Sequence, residues 1–228
     1  MKRLPKWILW GGGILAFSAG CINSTTLMGF THLSVSHVTG NVTLFSAAIS
    51  HGDYKDMLFI GASLLSFLAG AIISGMIVGQ RSLVLGRRYG MALLAEAGLL
   101  VLSFYLFHND LYLGQLCAAM ACGLQNSMIA TYSGAVIRTT HLTGLTSDLG
   151  AALGNWLAGR GMDKLTVIFQ AMIWYAFCGG GAVGAYLFAK YNYWTLILPI
   201  VITLFCAGAY VWLSRQQARR HHLANYEL

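Results

Sequence analysis

Ser36-His37-Val38-Thr39-Gly40-Asn41-Val42-Thr43 returns later in the chain as Thr140-His141-Leu142-Thr143-Gly144-Leu145-Thr146-Ser147. The shared core is His-[Val/Leu]-Thr-Gly, and its copies lie 104 residues apart. A second matched pair precedes them: Gly20-Cys21-Ile22-Asn23-Ser24 and Gly123-Leu124-Gln125-Asn126-Ser127, at an offset of 103. One four-residue match arises easily by chance in a Gly-rich apolar chain. Two motifs in the same order at nearly one offset indicate an internal duplication.

Outward from each copy the pattern is the same. The first half reads Trp7–Phe30, a short run near Val38–Ser50, Met57–Gly79 and Tyr89–Phe107. The second reads Leu111–Gly134, a short run near Leu142–Leu157, Leu165–Ala189 and Trp194–Leu213. Polar links, Thr31–Ser36 and Ala135–Thr140, lead into the short runs. The repeats therefore cover about 7–107 and 111–213, followed by a basic tail at 214–228. All of it, 1–228, reads as a single membrane domain.

Composition agrees. Hydrophobic residues make up 57% of the 228 and charged residues only 9%, against about 25% charged in an average protein. Several runs reach the roughly 20 apolar residues that span a bilayer as a helix. The expected fold class is all-α polytopic membrane protein. The net charge of +7 does not point to nucleic acid, because the basic residues flank apolar runs, where they orient helices. The five cysteines all sit in apolar segments without metal or redox spacing. Met1-Lys2-Arg3 before an apolar run ending in Ser18-Ala19-Gly20-Cys21 imitates a cleaved leader. The run continues past Cys21, so residues 7–30 are expected to stay as a transmembrane helix.

The short runs decide the topology. A run of 13 residues, 38–50, makes a helix of about 20 Å, too short for a hydrocarbon core of about 30 Å. With both short runs re-entrant, six spans remain. Eleven basic residues then fall inside and two, Lys55 and Lys190, outside, as the positive-inside rule requires. Eight crossings would put Arg81, Arg87 and Arg88 outside. The expectation is six transmembrane helices plus two re-entrant half-helices, both termini cytoplasmic. Three spans per half make the halves inverted-topology repeats, as in many secondary transporters.

The ordered set Thr39-Gly40-Asn41, Gly123-Leu124-Gln125-Asn126 and Arg138-Thr139-Thr140-His141-Leu142-Thr143-Gly144 resembles the YoaK family, bacterial integral membrane proteins with a domain of unknown function. The resemblance covers nearly the whole chain. It implies a multi-pass protein of the bacterial inner (plasma) membrane and leaves the mechanism open. Family members usually carry an Asp in a Gly-x-x-Asp setting of the first helix; here that position is Asn23.

The candidate site follows from the repeated motif. Each short helix is expected to start at Thr-Gly, with Thr as N-cap and Gly allowing close backbone approach. A helix N-terminus carries roughly half a positive charge and free N–H groups that bind anions. In inverted repeats the two starts would face each other near the midplane, lining a polar cavity. The candidate substrate-binding residues are Asn23, His37, Thr39, Gly40, Asn41, Gln125, Asn126, Arg138, Thr140, His141, Thr143, Gly144 and Asp148. The alternative is that these groups only hold the helix breaks. Arg138 is expected to pair with Asp148 or with Glu96, because a charge at mid-bilayer costs roughly 2.5–3.5 kcal/mol on an insertion scale. His37 and His141 are matched and could titrate near neutral pH.

Small residues form two stripes that permit close helix packing, Ala71-Gly75-Gly79 and Gly180-Gly184 with Gly181-Ala185. They fit packing within the chain or a homodimer seam. No HExxH, GxSxG or Walker motif occurs, so no enzyme, metal or cofactor is expected. The expected partners are the lipid bilayer, a small-molecule solute and a possible second copy. The leading expectation is a secondary transporter or permease for a small polar or anionic solute. The alternative is a non-transporting interaction or sensory protein with a structural polar core.

Overall fold

The computed structural model describes residues 6–79, 87–132 and 139–224. These residues form helices and their connections, with no strand among them. The helices are α1 (Lys6–Met28), α2 (Val38–His51), α3 (Tyr54–Val78), α4 (Arg87–His108), α5 (Leu113–Tyr132), α6 (Leu142–Leu157), α7 (Lys164–Tyr191) and α8 (Ile197–Ala224). A 3-10 segment, Asn192–Leu196, joins α7 to α8. Asp53 and Asp163 start α3 and α7 by accepting from the N–H groups of Asp56 (3.1 Å) and Thr166 (3.4 Å).

Among the described residues, three segments are long and apolar enough to cross a bilayer: Tyr54–Val78, Arg88–His108 and Lys164–Gln216, the last running through α7 and into α8. These apolar helices make the chain a membrane-associated helical protein. α1 and α5 are not among them, and their sequences explain why. Asn23, Ser24, Thr25 and Thr26 lie on α1, and Gln115, Gln125, Asn126 and Ser127 on α5. Lipid offers such groups no partner, so they sit on helices that other helices cover. The Thr25 and Thr26 hydroxyls bond back to the Cys21 and Ile22 carbonyls at 2.9 and 3.1 Å.

Packing follows the small residues. α1 lies against α7, and α5 lies against α3. A Cβ on Gly20 would land on the Phe177 carbonyl oxygen of α7, and one on Gly180 would land on the Phe17 carbonyl of α1. In the other pair, a Cβ on Gly123 would land on the Phe67 carbonyl of α3, and one on Gly70 on the Met120 carbonyl of α5. Ser127 Oγ of α5 also donates to the Ala71 carbonyl of α3 at 3.2 Å. Backbone contact of this kind holds helices where lipid removes any hydrophobic drive between them.

The Gly180-Gly184 stripe thus packs within the chain, with Gly184 against Cys21 of α1. The α3 stripe does not all pack within the chain. Its close contact is at Gly70, and nothing lies within 4 Å of a Cβ on Gly75. Five residues turn a helix by about 140° beyond one full turn, so Gly75 points away from α5.

α4 packs against α5 and α8, and α8 also reaches α1. At one end of the bundle Tyr193 binds three elements. Its ring stacks on Phe107 of α4 (centroids 4.4 Å apart, 7° between planes) and meets Phe188 of α7 edge-on at 5.2 Å. Its hydroxyl accepts from the Phe30 N–H at 3.0 Å, just beyond α1, where Gly29 leaves room for the ring. α2 packs on α3 and α6 on α7; α2 and α6 do not touch.

Candidate functional site

The short helices begin alike. His37 (φ −88°, ψ 63°) and His141 (φ −93°, ψ 59°) hold the cap positions, and neither side chain makes a capping hydrogen bond. Their carbonyls accept the first helical bonds, from the Asn41 N–H at 2.9 Å and the Leu145 N–H at 3.2 Å. The expectation that Thr39 and Thr143 cap the helices is therefore corrected. Both lie inside the first turn and are exposed. Their carbonyls accept from the Thr43 and Ser147 hydroxyls at 3.1 and 3.0 Å.

The role of the glycines changes with this. The histidine ring folds back over its own first turn. A Cβ on Gly40 would lie 2.9 Å from the His37 ring, and one on Gly144 would lie 2.5 Å from the His141 ring. Glycine makes room for an imidazole three residues earlier, not for the other short helix. The two starts are not in contact, against the expected close approach. Each is instead an exposed first turn with a histidine lying over it and no side-chain cap.

The links that deliver these starts are anchored on the polar residues of α1 and α5. In the first, Asn23 Oδ1 accepts from the Ser36 N–H (3.0 Å) and the Ser36 hydroxyl (2.9 Å). Asn41 Nδ2 donates to the Ser34 carbonyl at 2.7 Å. Gln115 Nε2 donates to the Leu33 carbonyl at 2.7 Å, and its Oε1 accepts from the Thr31 hydroxyl at 3.0 Å. In the second, Gln125 Nε2 donates to the Leu15 carbonyl of α1 (2.9 Å) and to Thr139 Oγ1 (3.1 Å). Gln125 Oε1 and Asn126 Oδ1 are buried without a hydrogen-bond partner among the described residues. Thr140 is half-buried, immediately before His141.

Arg138 lies outside the described residues. The acids proposed as its partners are placed apart from each other. Asp148 is exposed on α6 and accepts from Gln170 Nε2 of α7 at 3.3 Å. Beside it, Trp174 Nε1 donates to Thr146 Oγ1 at 3.1 Å. Glu96 is buried on α4, with Thr203 Oγ1 of α8 at 3.4 Å. The structure thus gathers Asn23, His37, Asn41 and Ser36 at one start, and Gln125, Thr139, Thr140 and His141 at the other. Gln115 and Thr139 escaped the sequence reading. A lone Gln in an apolar run was the available signal, but Gln115 has no polar copy in the first half, where Gly12 stands.

A cavity of about 700 Å³ opens at the Tyr193 end, between the ends of α1, α4 and α7, with His108, Asp110, Lys190 and Asn192 on its walls. None of the candidate residues lines it.

A family model described as "Protein of unknown function (DUF1275)" matches residues 12–209, from the start of α1 into α8. The chain belongs to this family. The match spans both helix starts and both glycine contacts, so this DUF1275 member carries its paired motifs inside the family's common region. No curated protein and no solved structure matches the chain.

Proposed function

We propose that this DUF1275 protein is a secondary transporter or permease of the bacterial inner membrane for a small polar or anionic solute, and not an enzyme. α1, α3, α4, α5, α7 and α8 are its six spans, and both termini are cytoplasmic. α2 has 14 residues and α6 has 16, making about 21 and 24 Å of helix, so both are re-entrant. The halves are inverted repeats. Matching of Gly20–Phe177 with Gly123–Phe67, and of Gly180–Phe17 with Gly70–Met120, supports this.

The observation that carries the functional reading is the pair of exposed helix starts at His37 and His141, both without a side-chain cap. Unpaired first-turn N–H groups and the helix dipole favour negative charge. An imidazole over each first turn adds a donor, and Arg138 in the second link adds a permanent cation able to hold a carboxylate bidentately. The test is purified protein in liposomes, challenged with inorganic anions, organic acids and nucleobases. Saturable uptake that falls at least tenfold in His37→Ala and His141→Ala supports the reading. No uptake and no ligand-induced thermal shift across the panel overturns it.

One observation favours the alternative, a non-transporting interaction or sensory protein. Asn23, Asn41 and Gln115 spend their hydrogen bonds inside the chain. The outer faces of α2 and α6, with Val42, Leu44, Leu153 and Trp156 exposed, face lipid or a second copy.

A further inference from the structure

Glu96 is the one acid placed deep in the bundle among the described residues, and neither helix start uses it. It lies eight residues from Arg88 and twelve from His108 on α4, near the middle of that candidate span. Its exposure is 0%. Thr203 Oγ1 donates to Oε1 at 3.4 Å, and Oε2 is buried with no partner among the described residues.

Among the described residues no cation comes near. α5 carries no charged residue, and α8 carries none before Arg215. On α3 the charged residues are Lys55 and Asp56, at its first turn. Arg88, which faces Gly79 at the end of α3, is about 12 Å along α4 from Glu96. Tyr193 of the 3-10 segment packs on Phe107, about 16 Å along α4 the other way. Tyr89 stacks with Tyr210 two turns away, centroids 4.7 Å apart. The titratable groups within its electrostatic reach are Cys122 of α5 and Cys206 of α8.

With one long hydrogen bond, no counter-ion among the described residues and no water-facing surface, an ionised carboxylate here has no compensation for lost hydration. The site must hold a positive occupant. A hard cation wants several oxygen ligands, and among the described residues Thr203 alone is hydrogen-bonded to the carboxyl; the thiols suit softer metals. A proton needs no further ligand.

We infer that Glu96 is a proton-binding site in the helical core, its carboxylate and a proton combining reversibly to the carboxylic acid. Resting on the transport reading above, it is also the group through which a proton gradient would be coupled to solute movement. Thr203 positions the acid by donating to its carbonyl oxygen.

Infrared spectroscopy of the full chain in lipid tests the site, with pH as the probe. At neutral pH the protein should show a carboxylic-acid carbonyl band that shifts down in D2O. Glu96→Gln should remove it, Asp148→Asn should leave it, and Thr203→Val should raise its frequency. Glu96→Asp keeps a band at a new position and guards against a folding defect in the Gln variant. Absence of any acid band lost in Glu96→Gln between pH 5 and 8 overturns the proposal. A band that appears only when sodium is withdrawn overturns it in favour of a cation. In liposomes, Glu96→Gln should keep solute exchange and lose at least tenfold of the pH-driven uptake; unchanged pH-driven uptake overturns the coupling. A protein that moves no solute refutes the transport reading alone, and the infrared band still decides the proton site.

Discussion

The starts of α2 and α6 share a backbone and differ in what holds them. Their cap dihedrals agree within 5°, and both histidines lie over a glycine. The first link is closed, with both Asn23 bonds going to Ser36. In the second half the matching Asn126 keeps a buried oxygen without a partner among the described residues, and α6 turns Asp148 and Thr146 toward Gln170 and Trp174 of α7. Duplication copies geometry first. Under the proposed duplication, the second start is the copy with polar capacity to spare among the described residues.

The largest effect should come where the halves are the same. Gly20→Ala and Gly123→Ala each push a methyl onto a carbonyl oxygen of rigid backbone. Each should cost about 3 kcal/mol or more, read as loss of monodisperse protein in detergent, while Gly75→Ala changes nothing. A mild Gly123→Ala beside a severe Gly20→Ala would break the equivalence of the two pairings.

Next comes the contrast between the asparagines. Asn23→Ala leaves the Ser36 N–H without its acceptor and should cost about 1–3 kcal/mol. Asn126→Ala removes an unpaired oxygen and should leave the thermal midpoint nearly unchanged. Equal losses would mean that the second link closes as the first does.

The glycines give a smaller difference. Gly144→Ala meets the His141 ring more closely than Gly40→Ala meets the His37 ring, 2.5 against 2.9 Å. It should cost about 1 kcal/mol, the scale of a small steric insertion, and His141→Ala in the same chain should remove that cost. A double-mutant cycle with no coupling would detach the glycine from the ring.

The smallest effect is at the caps of the long helices. The Thr166 hydroxyl and N–H both donate to Asp163, holding its carboxyl below the usual carboxylate value. A lowered folded value stabilises the protein above the ordinary carboxylate range, near pH 3.9. That contribution fades as pH falls through the lower folded value. Asp163→Asn should therefore slightly flatten the acid side of the stability profile. An unchanged acid limb would show that the cap is too solvated to matter.

Much of this was legible beforehand. The repeat of His-x-Thr-Gly fixes where the short helices begin, and Leu142–Leu157 emerges as expected. The family match covers the same ordered motifs. Which residue caps the helix was not legible, because Thr is the better cap by propensity and a two-residue shift leaves no trace in hydropathy. Gly70 was missed for Gly75 since small-residue spacing does not say which face of an apolar helix meets a neighbour. Thr203 could not be assigned to Glu96: they are 107 residues apart on α8 and α4, and only packing joins them.

The glycine contacts also set a timetable for synthesis. α5 emerges to find its partner α3 already made. α1 is made first, yet its partner α7 begins only after residues 29–163 have followed it. At about 5–20 residues per second, the ribosome leaves α1 waiting roughly 7–27 s with its Gly20 face uncovered. Of these two helix pairs, the one containing α1 is locked last, and the glycine face of α1 stays open to quality control until α7 is made.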